Sequence, residues 1–178
     1  MSNMIVASAE KCIGCHTCEV ACAVIHAGTI AVGAEHYFPR LKVVKQGAVS
    51  VPVMCRQCEN APCVAACPVA ALQKGEHSVE MIPLRCIDCK SCMVACPFGA
   101  IEIVSQSDEA RHSIPLIRKC DLCAGHEEGP VCIAVCPTDA LLLLTPGDLS
   151  LQQQKRQQQV AIESLAGGQL LHKEWING

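Results

Sequence analysis

A cysteine motif that occurs four times constrains this chain more than any other feature. Its most regular copy, at residues 86–97, reads CIDCKSCMVACP, or Cys-x2-Cys-x2-Cys-x3-Cys-Pro. The first three cysteines can approach one object from the same side, whereas the fourth lies one helical turn further along and points elsewhere. The proline ends that turn because it has no N–H to donate. All 16 cysteines of the 178-residue chain belong to the four copies.

The copies differ in two places. The middle gap contains two residues in the first and third copies, four in the second and eight in the fourth. The first copy has Ala23 where the others have proline, so its helix is expected to continue to about His26. The copies contain, in chain order, Cys12, Cys15, Cys18 and Cys22; Cys55, Cys58, Cys63 and Cys67; Cys86, Cys89, Cys92 and Cys96; and Cys120, Cys123, Cys132 and Cys136.

This spacing is typical of the ligands of [4Fe–4S] clusters, in which the fourth cysteine usually serves the neighbouring cluster. Zinc is the structural alternative, but four-cysteine zinc sites usually pair two Cys-x2–4-Cys knuckles instead of three cysteines plus one. A disulfide framework is typical of secreted chains, and the N-terminal residues show no signal peptide. The cysteines therefore predict four [4Fe–4S] clusters.

Composition supports that prediction and excludes several functions. The chain has only four aromatic residues, which suggests that inorganic clusters fill part of the interior. The formal net charge of −3 counts every cysteine as neutral, and four thiolate-bound clusters would bring it to about −11. Such a charge argues against a nucleic-acid partner. No apolar run approaches 18 residues, so no membrane span is expected.

Four complete thiolate sets leave no iron open to a substrate, and the sequence lacks dinucleotide and nucleotide fingerprints. We therefore expect outer-sphere electron transfer and not an enzyme with its own substrate site. Basic residues inside or next to the motifs are predicted to tune the cluster potentials, with ordinary surface charge as the alternative for each of them. These residues are His16, Arg56, Lys90 and Lys119.

Local patterns predict short elements between the motifs. A hairpin is expected at 70–82, and residues 105–113 are expected to form a polar surface linker. A helix is expected at 150–166, with Ser150 as its N-cap and glycines 167–168 as its end. Residues 152–159 are polar throughout, which makes a partly disordered tail the alternative. Single strands are predicted at 3–7, 41–44, 100–104 and 140–144.

Over about residues 3–146 the chain resembles the four-cluster iron–sulfur electron-transfer subunits of molybdopterin oxidoreductases. The resemblance is nearest to the electron-transfer proteins associated with formate hydrogenlyase and formate dehydrogenase. It implies an α+β fold of tandem, nested bacterial 2[4Fe–4S] ferredoxin-like units, with short strands and helices wrapped around the clusters. The segments that carry it are CIGCHTCEVAC, CRQCENAPC, CIDCKSCMVACPFGAIEI and CDLCAGHEEGPVCIAVCPTDAL.

The resemblance also implies how the motifs combine. Motif one pairs with motif four, and motif two pairs with motif three, each giving its fourth cysteine to its partner's cluster. The implied ligand sets are Cys12, Cys15, Cys18 and Cys136; Cys120, Cys123, Cys132 and Cys22; Cys55, Cys58, Cys63 and Cys96; and Cys86, Cys89, Cys92 and Cys67. Residues 1–50 and 105–146 would then form one ferredoxin-like unit, and residues 51–104 a second unit inserted into it. Residues 147–178 would be an extension for docking or oligomerisation.

By the same resemblance, the chain would relay electrons between two redox proteins. One would be the catalytic subunit of a molybdopterin-dependent formate dehydrogenase. The other would be a hydrogenase or another iron–sulfur or flavin subunit. The resemblance implies a cytoplasmic location, including the inner face of a membrane-bound complex. The alternative is a structural or assembly protein that supports maturation or oligomerisation of such a complex.

Overall fold

The structure, a computed structural model, describes residues 2–28, 30, 33, 37–107 and 113–176. Residues 1–143 form one compact unit, and residues 144–178 form another. The mixed helix and strand content agrees with the α+β class, whereas the nesting of two units stays a prediction. The described elements are β1 (Met4–Ala7), α1 (Thr17–Ala27), β2 (Leu41–Gln46), β3 (Val49–Met54), α2 (Pro62–Ala65), β4 (Leu72–Lys74), β5 (Val79–Met81), α3 (Ser91–Ala95), β6 (Glu102–Ser107), β7 (Ser113–Arg118), α4 (Val131–Ala134), β8 (Leu141–Leu144) and α5 (Pro146–Ile176).

The described strands form four ribbons of two strands each. Strand β1 pairs with β8, which joins segments far apart in sequence. The other three ribbons are antiparallel hairpins of neighbouring strands, β2 with β3, β4 with β5 and β6 with β7. The hairpin predicted at 70–82 is confirmed by β4 and β5. The cysteine loops and the short helices lie between these ribbons.

The expected linker at 105–113 is wrong where the structure describes it. Strand β6 continues to Ser107, and its partner β7 begins at Ser113, while residues 108–112 lie outside the described part. A ribbon is held by backbone hydrogen bonds and can keep one face in water, so it accepts the polar residues that suggested a linker. Strand β3 was not among the predicted strands. It contains Pro52, a residue type that is rare in strand interiors.

Helix α1 is longer than the other helices that carry cysteines. It runs from Thr17 to Ala27 and ends at Gly28 in the left-handed conformation, with φ of 67°. Helices α2, α3 and α4 contain only four or five residues and end close to a Cys-Pro step. The expectation that the missing proline lets the first helix continue is confirmed.

The interior mixes cysteines with small and aliphatic side chains. One buried cluster combines Ile5, Leu41 and Leu141 with thiols from motifs one, two and four. A second combines Leu72 and Val79 with thiols from motifs two and three. Half of the ten buried members of the first cluster are cysteines. Aliphatic side chains therefore form only part of the interior.

The predicted boundaries of the inserted unit both fall inside strands. The step from 50 to 51 lies within β3, and the step from 104 to 105 lies within β6. Both strands therefore span the two predicted units, and each pairs with a strand of the first unit, β3 with β2 and β6 with β7. The two ferredoxin-like units thus share hairpins, and their division stays a prediction.

The last helix, α5, begins earlier and ends later than expected. Thr145 caps it, because its Oγ1 accepts a hydrogen bond from the Asp148 N–H at 3.3 Å while its own N–H donates to Asp148 Oδ2 at 2.9 Å. Ser150 is therefore inside the helix, where its hydroxyl donates to the Pro146 carbonyl. The backbone stays helical through the glycines at 167–168, and side chains 150–164 are exposed. Among the described residues, the helices are too short or too polar to cross a bilayer.

A proline in place of Ala23 tests the role of the longer helix. Although the other motifs have proline at this position, Ala23→Pro should destabilise the protein by about 3 kcal/mol or more, because α1 continues past it. Ala23→Gly is the control and should cost about 1 kcal/mol, since it keeps the N–H. Denaturant unfolding of the iron-loaded protein measures both. Equal stability of Ala23→Pro and wild type would show that α1 does not need to continue.

Candidate cluster-binding site

Three cavities in residues 1–143 are each lined by four cysteines. The first is lined by three thiols of motif one and one of motif four, with Val43 and Leu141 as apolar neighbours. The second takes three thiols from motif two and one from motif three, and the third takes three from motif three and one from motif two. The lining cysteines are Cys12, Cys15, Cys18 and Cys136; Cys55, Cys58, Cys63 and Cys96; and Cys86, Cys89, Cys92 and Cys67.

The remaining four thiols also lie close together. Burial is the main cause that raises the pKa of Cys132, and repulsion from the charges of Cys120, Cys22 and Cys123 adds to it. Cys22, on α1, reaches this group because α1 packs against α4. Helices α2 and α3 pack against each other in the same way and bring motifs two and three together. The structure thus brings together the thiols of each ligand set implied by the resemblance, while iron ligation itself stays a prediction.

The same backbone turn forms all four cysteine loops. The residue just before the second cysteine of each motif has a positive φ, the conformation that glycine adopts most easily. Only motif one has glycine there. The four residues are Gly14, Gln57, Asp88 and Leu122, with φ of 69°, 48°, 57° and 61°.

Gly14 has a second reason to be glycine. A Cβ built on it would lie 2.7 Å from Ser50 Oγ, closer than Cβ atoms approach other atoms in proteins, and 3.0 Å from Ser50 Cβ. Ser50 belongs to β3, which packs the first hairpin beside the motif-one loop. The other loops tolerate a side chain at the same φ, so the contact with Ser50 is what excludes one here.

A second repeated turn follows the last cysteine of motifs two, three and four. Each reads Cys-Pro-x and then a residue with positive φ, namely Ala70, Gly99 or Asp139. The next residue is alanine each time, and its N–H donates to the cysteine Sγ at 3.2, 3.4 and 3.3 Å. Motif one lacks this turn. There the Arg40 N–H donates to Cys22 Sγ at 3.3 Å, so every last cysteine accepts one backbone hydrogen bond.

Burial sets the electrostatics of the inner thiols. It raises the pKa of Cys120 to about 12 and that of Cys22 to about 11. A thiolate at such a position needs positive charge beside it, which bound iron supplies. Cys15 and Cys89 are exposed, and hydrogen bonds from the hydroxyls and N–H groups of Thr17 and Ser91 lower their pKa values. Four converging thiols in a mainly apolar lining, with N–H donors aimed at sulfur, fit a cubane of iron and sulfide.

The basic residues expected to tune the clusters lie in different environments. His16 and Lys90 are exposed and pair with Glu19 and Asp88, at 2.9 and 3.1 Å. Arg56 donates to the Ile5 carbonyl at 3.4 Å and stacks over the Phe98 ring. Lys119 is buried, with 4% of its surface exposed.

Sequence reasoning did not single out three buried or half-buried polar residues near the thiols. Glu19 accepts hydrogen bonds from the Val43 N–H and from His16, which ties α1 to β2. Gln57 donates to the Cys120 carbonyl at 2.7 Å, which ties motif two to motif four. His26 lies 3.6 Å from Asp121, and burial lowers its pKa to about 4. The position of Glu19 and Gln57 within motifs was the only available signal.

Comparison with protein families gives two matches. A family described as "4Fe-4S dicluster domain" matches residues 47–145. A second, described as "4Fe-4S binding domain", matches residues 9–25. Together they cover the regions that contain the four motifs.

Curated relatives from Escherichia coli match most of the chain. Electron transport protein HydN is 39% identical over 173 residues, which covers 91% of this chain and 99% of HydN. Formate hydrogenlyase subunit 2 is 34% identical over 208 residues, covering 100% of this chain and 98% of that subunit. AegA is 41% identical over 162 residues, or 90% of this chain, and the chain spans only 25% of its length.

Substitution of Gly14 tests the motif-one loop. Gly14→Ala should cost more than about 2 kcal/mol, because the left-handed backbone penalty of about 1–2 kcal/mol adds to the clash with Ser50. Gly47→Ala is the matched control, since Gly47 has a φ of 59° and open space around its Cβ position. The measurements are iron content and the free energy of unfolding.

The double variant Gly14→Ala with Ser50→Gly removes the clash and should recover much of the lost iron content. If Gly14→Ala and Gly47→Ala were equally destabilised, contact with Ser50 would have no role in the loop.

Proposed function

This chain belongs to the 4Fe-4S dicluster family of electron-transfer proteins, and we propose that it carries electrons through four [4Fe–4S] clusters held by crossed pairs of motifs. The proposed ligand sets are those implied by the family resemblance. The observation that carries the proposal is that three separate cavities are each lined by four thiols, three from one motif and one from another. No single motif supplies all the thiols of any of these cavities.

Contacts between the thiol sets support a linear order of the clusters. Cys18 of the first set and Cys55 of the third lie in one buried cluster with Cys120 and Cys132 of the second. Motifs two and three each give their last cysteine to the other's set, and their helices α2 and α3 pack together. The order we propose therefore runs from the Cys12 set through the Cys120 set and the Cys55 set to the Cys86 set.

Exposure supports electron exchange at the two ends of this order. Cys15 in the first set and Cys89 in the last set are exposed, whereas Cys120, Cys123 and Cys55 in the middle sets are buried. When bound, each cluster accepts or releases one electron at a time. The chain contributes the thiolates, the N–H groups that stabilise negative charge on sulfur, and, around the middle sets, burial from water.

The partners we propose are a molybdopterin-dependent formate dehydrogenase catalytic subunit on one side and a hydrogenase or another iron–sulfur or flavin subunit on the other. The support is similarity over nearly full length to relatives named electron transport protein HydN and formate hydrogenlyase subunit 2. The chain would act without its own substrate site, as one member of a larger oxidoreductase assembly.

Docking or assembly is a second role, favoured by helix α5. This helix has 31 residues, and the side chains at 150–164 are exposed. It exposes the apolar side chains of Leu151, Val160 and Ile162, and their burial against another protein would be favourable. We propose that α5 attaches the chain to its redox partner.

Metal analysis tests the cluster proposal. Protein isolated without oxygen should contain about 16 iron and about 16 sulfide ions per chain, because each of four cubanes carries four of each. Reduction should produce EPR signals of interacting [4Fe–4S] clusters. A preparation that contains zinc, or no more than about eight irons, would contradict the four-cluster arrangement.

A shortened chain tests the role of α5. A chain ending at residue 146 should keep its iron and potentials but bind the dehydrogenase more weakly.

Formate-driven reduction tests the proposed donor. A molybdenum formate dehydrogenase with formate should reduce the clusters. Dehydrogenase without formate is the control. An absence of cluster reduction by formate, in protein that dithionite reduces fully, would exclude this donor.

A further inference from the structure

Lys119 is a buried cation at the junction of two thiol sets. Only 4% of its surface is exposed, and its Nζ donates to the Cys120 carbonyl at 3.0 Å. Within the described residues, every ion pair of an acidic side chain is formed with a base other than Lys119. A buried ammonium is strongly unfavourable unless negative charge lies near it.

The negative charge proposed beside Lys119 comes from cysteines. Cys55 is buried in the same cluster as Cys120, whose carbonyl accepts the hydrogen bond from the Lys119 ammonium. Cys63 belongs to the same motif as Cys55 and is also buried. Both cysteines belong to one proposed ligand set, whereas Cys120, whose carbonyl holds the ammonium, belongs to the next.

Gln57 fixes the same junction from the other side. Its Nε2 donates to the Cys120 carbonyl at 2.7 Å, and its Oε1 accepts a hydrogen bond from the Val79 N–H at 2.9 Å. Gln57 is 3% exposed and lies within the loop that begins at Cys55. The Cys120 carbonyl thus joins the loops of motifs two and four and holds the Lys119 ammonium between them.

We propose that Lys119 is a positioning residue for electron transfer, whose buried charge stabilises the electron on the cluster held by Cys55, Cys58, Cys63 and Cys96. The inference rests on the proposed ligand sets. In the proposed step, one electron would pass from the cluster held by the Cys120 set to this one, with no bond broken and no proton moved. The ammonium offsets the added negative charge, so the potential of this inner cluster is higher than its burial alone would give. Lys119 therefore favours the crossing between the two ferredoxin-like units.

A redox titration of the complete, iron-loaded chain followed by EPR tests this role. Lys119→Met should lower the midpoint potential of one cluster, the one whose signal is altered by Cys63→Ser, and should leave the potentials of the clusters at the exposed ends nearly unchanged. Lys119→Arg keeps the charge and should keep the potential close to that of wild type. Lys155→Met is the control for net charge, because Lys155 is exposed on α5.

Iron content separates this proposal from the cluster proposal beneath it. Wild type with far fewer irons than expected would reject the ligand sets, whatever Lys119 does. If Lys119→Met with full iron content has four unchanged potentials, or shifts no larger than those of Lys155→Met, the role of Lys119 is rejected.

Loss of iron in the variants is also informative. If Lys119→Met and Lys119→Gln lose iron while Lys119→Arg retains it, the buried charge is needed to hold the cluster, which supports the assignment. If Lys119→Arg loses iron as well, the shape of the lysine and not its charge is required, and the proposal is wrong.

Discussion

The proposed attraction between buried thiolates and iron is the interaction on which our account of this fold depends. The largest side chains that are completely buried are Ile5, Leu72 and Leu141, and much of the remaining interior is cysteine and alanine. Burial raises the pKa values of inner thiols such as Cys120, so these sulfurs can be charged only beside a cation. Bound iron would both neutralise these thiolates and link segments that are distant in sequence. Such metal binding is coupled to folding, because the thiols are brought together only in the folded chain.

Repetition explains how a chain with so little organic core can form several sites. The left-handed residue before each second cysteine and the N–H donor to each last cysteine recur in all four motifs. Motif one obtains the same result by different means. Its helix α1 continues to Ala27, and the donor to Cys22 comes from Arg40 on a separate segment. Glu19, in the first turn of α1, accepts a hydrogen bond from the Val43 N–H of β2.

Much of this could be predicted from cysteine spacing and from the residues beside it. The loops, the longer first helix and the hairpin at 70–82 follow from local signals, namely Cys-Pro steps, the missing proline at Ala23 and a glycine-containing turn. The cap of α5 also has a local signal, because Thr145 and Asp148 are spaced as in a capping box; the predicted cap, Ser150, is wrong.

Strand pairing and buried polar contacts could not be predicted in the same way. Pro52 in β3 and the polar residues after 104 in β6 have low strand propensity. Pairing with a neighbouring strand outweighs that local propensity. The roles of Gln57 and Lys119 depend on the Cys120 carbonyl, which lies more than 60 residues from Gln57 in sequence. Only the folded arrangement shows that one carbonyl group receives both donors.

Crossed ligation between motifs is the central claim, and iron anomalous scattering from crystals of the anaerobic protein tests it most directly. The account predicts four groups of iron peaks, each beside three cysteines of one motif and the last cysteine of another, with the Cys120 and Cys55 sets in the middle. A group of peaks bound by all four cysteines of a single motif would contradict the account.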